Sequence, residues 1–145
     1  MFMSEEDKIT GGCLCGAIRY EADQAPIESG YCHCTMCQKS MGNLFGVYVR
    51  FDPAHFRFLS GELSWYDSSA LARRSFCPTC GSPIAYQRDD VEVLGIFQGT
   101  LDHPEAFPPE RHIWTDTKIP WVDIQSHLPD ETTEMHSYKI SRSTS

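Results

Sequence analysis

Seven cysteines, gathered in three tight groups, constrain this chain more than any other feature. Cys13 and Cys15 come first, then Cys32, Cys34 and Cys37, then Cys77 and Cys80. An odd count, with no apolar stretch in the acidic start Met1-Phe2-Met3-Ser4-Glu5-Glu6-Asp7, argues against a secreted disulfide framework. Closely spaced thiols in a reducing compartment bind metal.

Phe76-Cys77-Pro78-Thr79-Cys80-Gly81 is the most specific piece. A C-x-x-C turn brings two thiolates within reach of one tetrahedral zinc, and the glycine that follows tolerates a left-handed backbone. A thioredoxin-like redox pair would open a helix that lowers the thiol pKa. Here Gly81, Ser82 and Pro83 lead at once into a strand-like Ile84-Ala85-Tyr86, so a metal knuckle is preferred. A structural zinc needs four ligands. Gly11-Gly12-Cys13-Leu14-Cys15-Gly16 supplies the other two, provided the chain bends there. Residues i and i+2 of a strand lie ~6.5 Å apart, whereas sulfurs on one zinc stand ~3.8 Å apart. Two core thiols at 13 and 15 would leave Cys77 and Cys80 without partners. One four-cysteine site is the economical assignment.

Cys32-His33-Cys34-Thr35-Met36-Cys37 then holds three thiols and no fourth. Three protein ligands with an open position is the pattern of a catalytic zinc. A divalent ion with three thiolates is a poor Lewis acid for water and suits a soft, anionic sulfur ligand. His33 is the alternative fourth ligand, which would close the site, although in an extended segment it points away from the face shared by Cys32 and Cys34. A redox disulfide between two of the three is a further alternative.

A length of 145 residues fits one domain, expected over residues 10–136, with residues 1–9 loosely attached and residues 137–145 a polar tail. A net charge of −8 argues against nucleic acid and anionic membranes. Hydrophobic content of 41% excludes disorder, and no apolar run approaches the ~20 residues of a membrane span. A cytoplasmic protein is expected, and its oligomeric state is left open.

The periodicity is β-like and short. Strands are predicted at residues 17–22, 44–51, 56–59, 63–66, 72–76, 84–87 and 91–97, with a turn or two of helix from Thr35 to Ser40. Over 44–51, Phe45, Val47, Val49 and Phe51 share one face and Tyr48 and Arg50 the other. The proline-rich segment from Gly99 to Pro120 is expected to be irregular but packed. The fold class is mainly β.

GGCLCGAIRY (11–20), YCHCTMCQKSMGN (31–43), RSFCPTCGSPI (74–84) and HIWTDTKIPW (112–121) resemble, in order, the motifs of the glutathione-dependent formaldehyde-activating enzyme family. The resemblance runs from about Thr10 to Asp123. It implies a β-tent of short antiparallel sheets joined around a structural zinc on Cys13, Cys15, Cys77 and Cys80, with a catalytic zinc on Cys32, Cys34 and Cys37. It also implies carbon–sulfur lyase activity: glutathione and formaldehyde combining to S-hydroxymethylglutathione, or the reverse.

The expected function is therefore a zinc-dependent carbon–sulfur lyase, with two zinc ions per chain and small-molecule thiol and aldehyde substrates. The alternative is a non-catalytic zinc module that binds a protein or a thiol ligand. His33 or His112 is the candidate proton donor. Lys39, Arg50, Arg73, Arg74, Arg111 and Lys118 are candidate counter-charges for an anionic thiol, or else solvated surface charges. His112, Trp114 and Trp121 either wall the cleft or pack in the core.

Overall fold

A computed structural model describes residues 7–132. The expectations for residues 1–6 and for the tail at 137–145 lie outside the described residues. The protein is mainly β, with eleven strands and one α-helix among the described residues. A three-stranded antiparallel sheet is formed by β1 (Ile9–Gly12), β2 (Arg19–Ala22) and β5 (Phe56–Ser60), in the order β1-β2-β5. The second sheet contains β3 (Glu28–Cys32), β4 (Gly46–Phe51), β6 (Ser64–Asp67), β7 (Ala72–Phe76), β8 (Pro83–Arg88), β9 (Leu94–Phe97), β10 (His112–Ile113) and β11 (Asp130–Glu131). Its order is β11-β10-β3-β4-β9-β8-β7-β6. The two-residue β10 runs parallel to both β3 and β11; the other pairings are antiparallel.

Strand alternation divides the large sheet into two faces. On one, Val49 and Phe51 of β4, Ala85 of β8 and Leu94 and Ile96 of β9 pack with Ile18, Tyr20 and Ala22 from the small sheet's side into the main core. Cys13 and Cys77 belong to that core. On the other, Tyr48 packs with Cys32, Cys37 and Ile113. The predicted two-faced strand at 44–51 is thus realised in β4, one face in each cluster.

Four strands escaped the sequence reading: β10 and β11 are only two residues long and show no periodicity, and β1 and β3 were missed for a second reason. β1 (ITGG) and β3 (ESGYC) are short and interrupted by glycine, which carries no periodicity, and Gly11 and Gly30 serve close approach. A Cβ at Gly11 would lie 2.5 Å from the Thr100 carbonyl oxygen, and one at Gly30 would lie 2.6 Å from Tyr48 Oη. β1 begins at Ile9, whose side chain packs on the core. The helix α1 (Thr35–Met41) stands where a short helix was predicted. The segment from Gly99 onward is irregular yet packed, with Ile113 fully buried and Phe107 against the core.

Candidate functional site

The outer cysteines come together at two turns, one belonging to each sheet. After β1, Gly16 N–H closes a turn onto the Cys13 carbonyl at 3.2 Å. After β7, Gly81 N–H closes another onto the Cys77 carbonyl at 2.8 Å. Gly16 and Gly81 hold φ of +83° and +80°, the left-handed conformation anticipated for the knuckle. Leu14 N–H donates to Ser82 Oγ at 3.0 Å and ties the two turns together. Cys13 and Cys15 are therefore turn residues, not strand residues, and the turn brings their sulfurs to 3.6 Å. Cys15 and Cys77 stand 3.8 Å apart, and all four sulfurs lie within 4.8 Å of one another. These spacings match the ~3.8 Å expected around a tetrahedral zinc. Ile18 N–H donates to Cys13 Sγ at 3.2 Å. A hydrogen bond from Ser82 pulls the Cys80 thiol down to about 5, toward the thiolate a metal requires.

The middle cysteines are positioned by the end of β3 and the start of α1. Cys34 is the N-cap of α1, its sulfur accepting from Cys37 N–H at 3.2 Å, so the cap geometry alone places Cys34 beside Cys37. Cys32 ends β3. The three sulfurs lie within 4.8 Å of one another and no other metal-ligating side chain joins them among the described residues. Hydrogen bonding with Cys34 pushes the Cys32 thiol well up, while the same contact pulls Cys34 down. Without a cation the three sulfurs share negative charge unequally; a soft divalent ion would let all three ionise.

His33 turns away from the cluster. Its Nε2 lies 2.8 Å from His112 Nδ1, and His112 Nε2 lies 3.1 Å from the Gln125 carbonyl. A carbonyl only accepts, so His112 carries its proton on Nε2 and receives a hydrogen bond from His33 Nε2–H. Burial, reinforced by His112, pushes the His33 pKa down to about 4. The pair is a buried stack, with ring centroids 5.1 Å apart. Neither ring lines the cavity described next, so the reading of His33 or His112 as the proton donor is not supported by their placement, nor is His112 as a cleft wall. Trp121 is 73% exposed and lies outside the cavity too.

A cavity of about 440 Å³ opens beside the three cysteines. The cavity face of the large sheet supplies its floor by strict alternation: Gly46, Tyr48 and Arg50 of β4, Gly95 and Phe97 of β9, Tyr86 and Arg88 of β8, Ala72 and Arg74 of β7. Gly95 pairs with both Arg50 and Tyr86, and its missing side chain leaves room in the middle of the floor. Met36, Ile113 and Trp114 add apolar walls. Trp114 adopts a left-handed φ of 56°, an unfavourable conformation for a bulky residue that is held here at the cavity rim.

Of the six candidate cations, Arg50 and Arg74 line the cavity. Arg88, absent from those candidates, lines it as well; extending the β4 alternation to β8 would have found it. Arg111 instead bridges Glu28 at 2.8 Å and Glu131 at 3.5 Å, and Arg73 stacks over Trp65 at 4.2 Å. Lys39 and Lys118 lie outside the cavity lining. No helix among the described residues is long and apolar enough to cross a membrane.

Comparison with known proteins bears on both sites. A family model described as glutathione-dependent formaldehyde-activating enzyme matches residues 8–117, a span that holds all seven cysteines. The crystal structure of a Rhodobacter sphaeroides protein is similar with a TM-score of 0.55 and 20% identity, covering 85% of this chain and 99% of that one. At that identity the likeness concerns the fold.

Proposed function

The chain belongs to the glutathione-dependent formaldehyde-activating enzyme family, and from that premise we propose that it is a zinc-dependent carbon–sulfur lyase. It forms or cleaves the adduct of a small thiol with an aldehyde, of which glutathione and formaldehyde are the reference pair. The observation that carries this reading is the three-cysteine cluster set in the wall of a 440 Å³ cavity with no fourth ligand beside it among the described residues.

In this reading Cys13, Cys15, Cys77 and Cys80 hold a structural zinc that joins the two sheets in a tent-like arrangement. Cys32, Cys34 and Cys37 hold the catalytic one. Held by those three thiolates, zinc would keep a substrate sulfur deprotonated yet nucleophilic. The chain's own residues do the rest. Tyr48, Tyr86, Phe97 and Trp114 exclude water around the reacting carbon, and the Gly95 gap seats the ligand over the sheet. His33 and His112 act behind the cluster, where their mutual bond fixes the backbone between Cys32 and Cys34. His33 also contributes its carbonyl, which accepts from Thr117 Oγ1 at 2.8 Å and Gln38 Nε2 at 3.0 Å. Residues 10–136 act as one unit, and seven free thiols suit a reducing cytoplasm.

Cobalt in place of zinc reports on this directly. Adding glutathione should change the thiolate charge-transfer spectrum, and the protein should speed equilibration of glutathione with formaldehyde. Cobalt spectra indifferent to every small thiol, together with uncatalysed equilibration, would replace this reading with a non-catalytic zinc module.

A further inference from the structure

Arg74 is a buried charge without an acid. It is 3% exposed, and no carboxylate pairs with it among the described residues. Its guanidinium carbon lies 4.8 Å from the Tyr86 ring centroid and 5.7 Å from that of Phe97. Nη2 lies 3.6 Å from Cys37 Sγ, while Nε and Nη1 have no hydrogen-bond partner. The two other arginines of the cavity differ. Arg50 donates to Glu28, and Arg88 holds Asp90 through two contacts at 2.6 and 2.8 Å. A buried cation is tolerated when an anion faces it, and a lone one is costly. Here the facing anion is the thiolate cluster, which even with a divalent ion keeps one net negative charge.

That compensation uses Nη2 and leaves Nε and Nη1, both buried, without a partner on a side chain that lines the cavity beside the cluster. We propose that Arg74 is the oxyanion-binding residue of this site, donating to the ligand oxygen that stands close to the bound sulfur and carries negative charge. The ligand class is a thiol or thiol adduct with an anionic oxygen within two or three bonds of sulfur. This rests on the thiol-site reading above. In adduct formation the sulfur lone pair makes the carbon–sulfur bond and the carbonyl π pair moves to oxygen. Arg74 holds that alkoxide until it takes a proton from water. In cleavage the hydroxyl returns its proton to water, the carbon–sulfur pair goes back to sulfur, and the aldehyde departs. Arginine stays protonated throughout, so its contribution is preorganised charge.

The test compares mercaptoacetate with its neutral isostere mercaptoacetamide, titrated into cobalt-loaded protein and followed by the thiolate charge-transfer band. Wild type should bind the carboxylate about tenfold or more tightly, the scale of one charge-assisted hydrogen bond. In Arg74→Met that ratio should fall about fivefold or more, whatever the change in affinity for mercaptoacetamide itself. Arg74→Lys keeps the charge but loses the planar donors, and its ratio should also fall. A wild-type ratio near unity overturns the proposal and leaves the thiol site standing. So does a ratio unchanged in Arg74→Met or, where that variant fails to fold, in Arg74→Lys. A band that responds to neither thiol removes the thiol site, and the oxyanion role with it.

Discussion

Cys15 Sγ and Cys77 Sγ stand 3.8 Å apart although 62 residues separate them in the chain. A metal between them closes a loop that runs from one sheet to the other. Structural zinc contributes roughly 10–16 kcal/mol in small domains, as much as the ~5–15 kcal/mol net stability of a typical protein. Cys77→Ser should therefore give insoluble chain or chain without a cooperative melt. Thermal melting with metal analysis checks this; a soluble, cooperatively melting variant of unchanged zinc content would remove the structural assignment.

Cys34→Ser should behave differently. Cys32, Cys34 and Cys37 span six residues and close no long loop, and serine is a good N-cap for α1. The variant should melt within a few degrees of wild type, carry about one zinc where wild type carries two, and lose the cobalt response to thiols. Loss of both ions on this single change would show that the two clusters are not independent.

Gly95→Val tests the cavity floor. A Cβ at this position meets the Tyr86 carbonyl oxygen at 3.4 Å, a contact a small backbone shift relieves, and valine suits a strand. The added methyls occupy the gap between Arg50 and Tyr86. Affinity for a small-thiol ligand should drop about tenfold or more while both metals remain. Unaltered binding would place the ligand elsewhere.

Asp102 links acid sensitivity to the small sheet. It receives two contacts from Arg19 at 2.5 and 3.0 Å and one from Thr10 at 2.7 Å. The Arg19 hydrogen bond holds the Asp102 carboxyl below its usual range. A lowered folded pKa means that the contribution is full above the unfolded value of ~3.9 and fades as pH falls through the folded one. Asp102→Asn should cost no more than about 1 kcal/mol at pH 7, because the pair is partly exposed. Its urea midpoint should converge on that of wild type as the pH drops below about 4. A gap that stays constant through this range would mean that the ion pair contributes nothing.

The cysteine groups were legible because ligand spacing is local, and the cap at Cys34 is a short-range consequence of the same spacing. β7 was legible at both ends, and β4 by its alternation. β1 and β3 were not, since Gly11 and Gly30 answer to Thr100 and Tyr48, outside any local window. The bond between His33 and His112 spans 79 residues, and no local pattern announces it. Arg74 could be named only as one of six cations. What sets it apart is the absence of an acid partner, a property of the folded environment.

The arrangement of the large sheet has one more consequence. The main core and the cavity occupy opposite faces of the same strands, so most determinants of packing and of ligand choice interleave along the chain, while Tyr48, Cys32, Cys37 and Ile113 serve both the smaller cluster and the cavity. Substitutions at Tyr48, Arg50, Tyr86, Arg88 or Gly95 reshape the ligand's surroundings and leave the packing of Val49, Phe51, Ala85, Leu94 and Ile96 on the far face untouched. Ligand preference in such a scaffold is free to diverge among relatives while folding energy is held nearly constant, one alternate residue at a time.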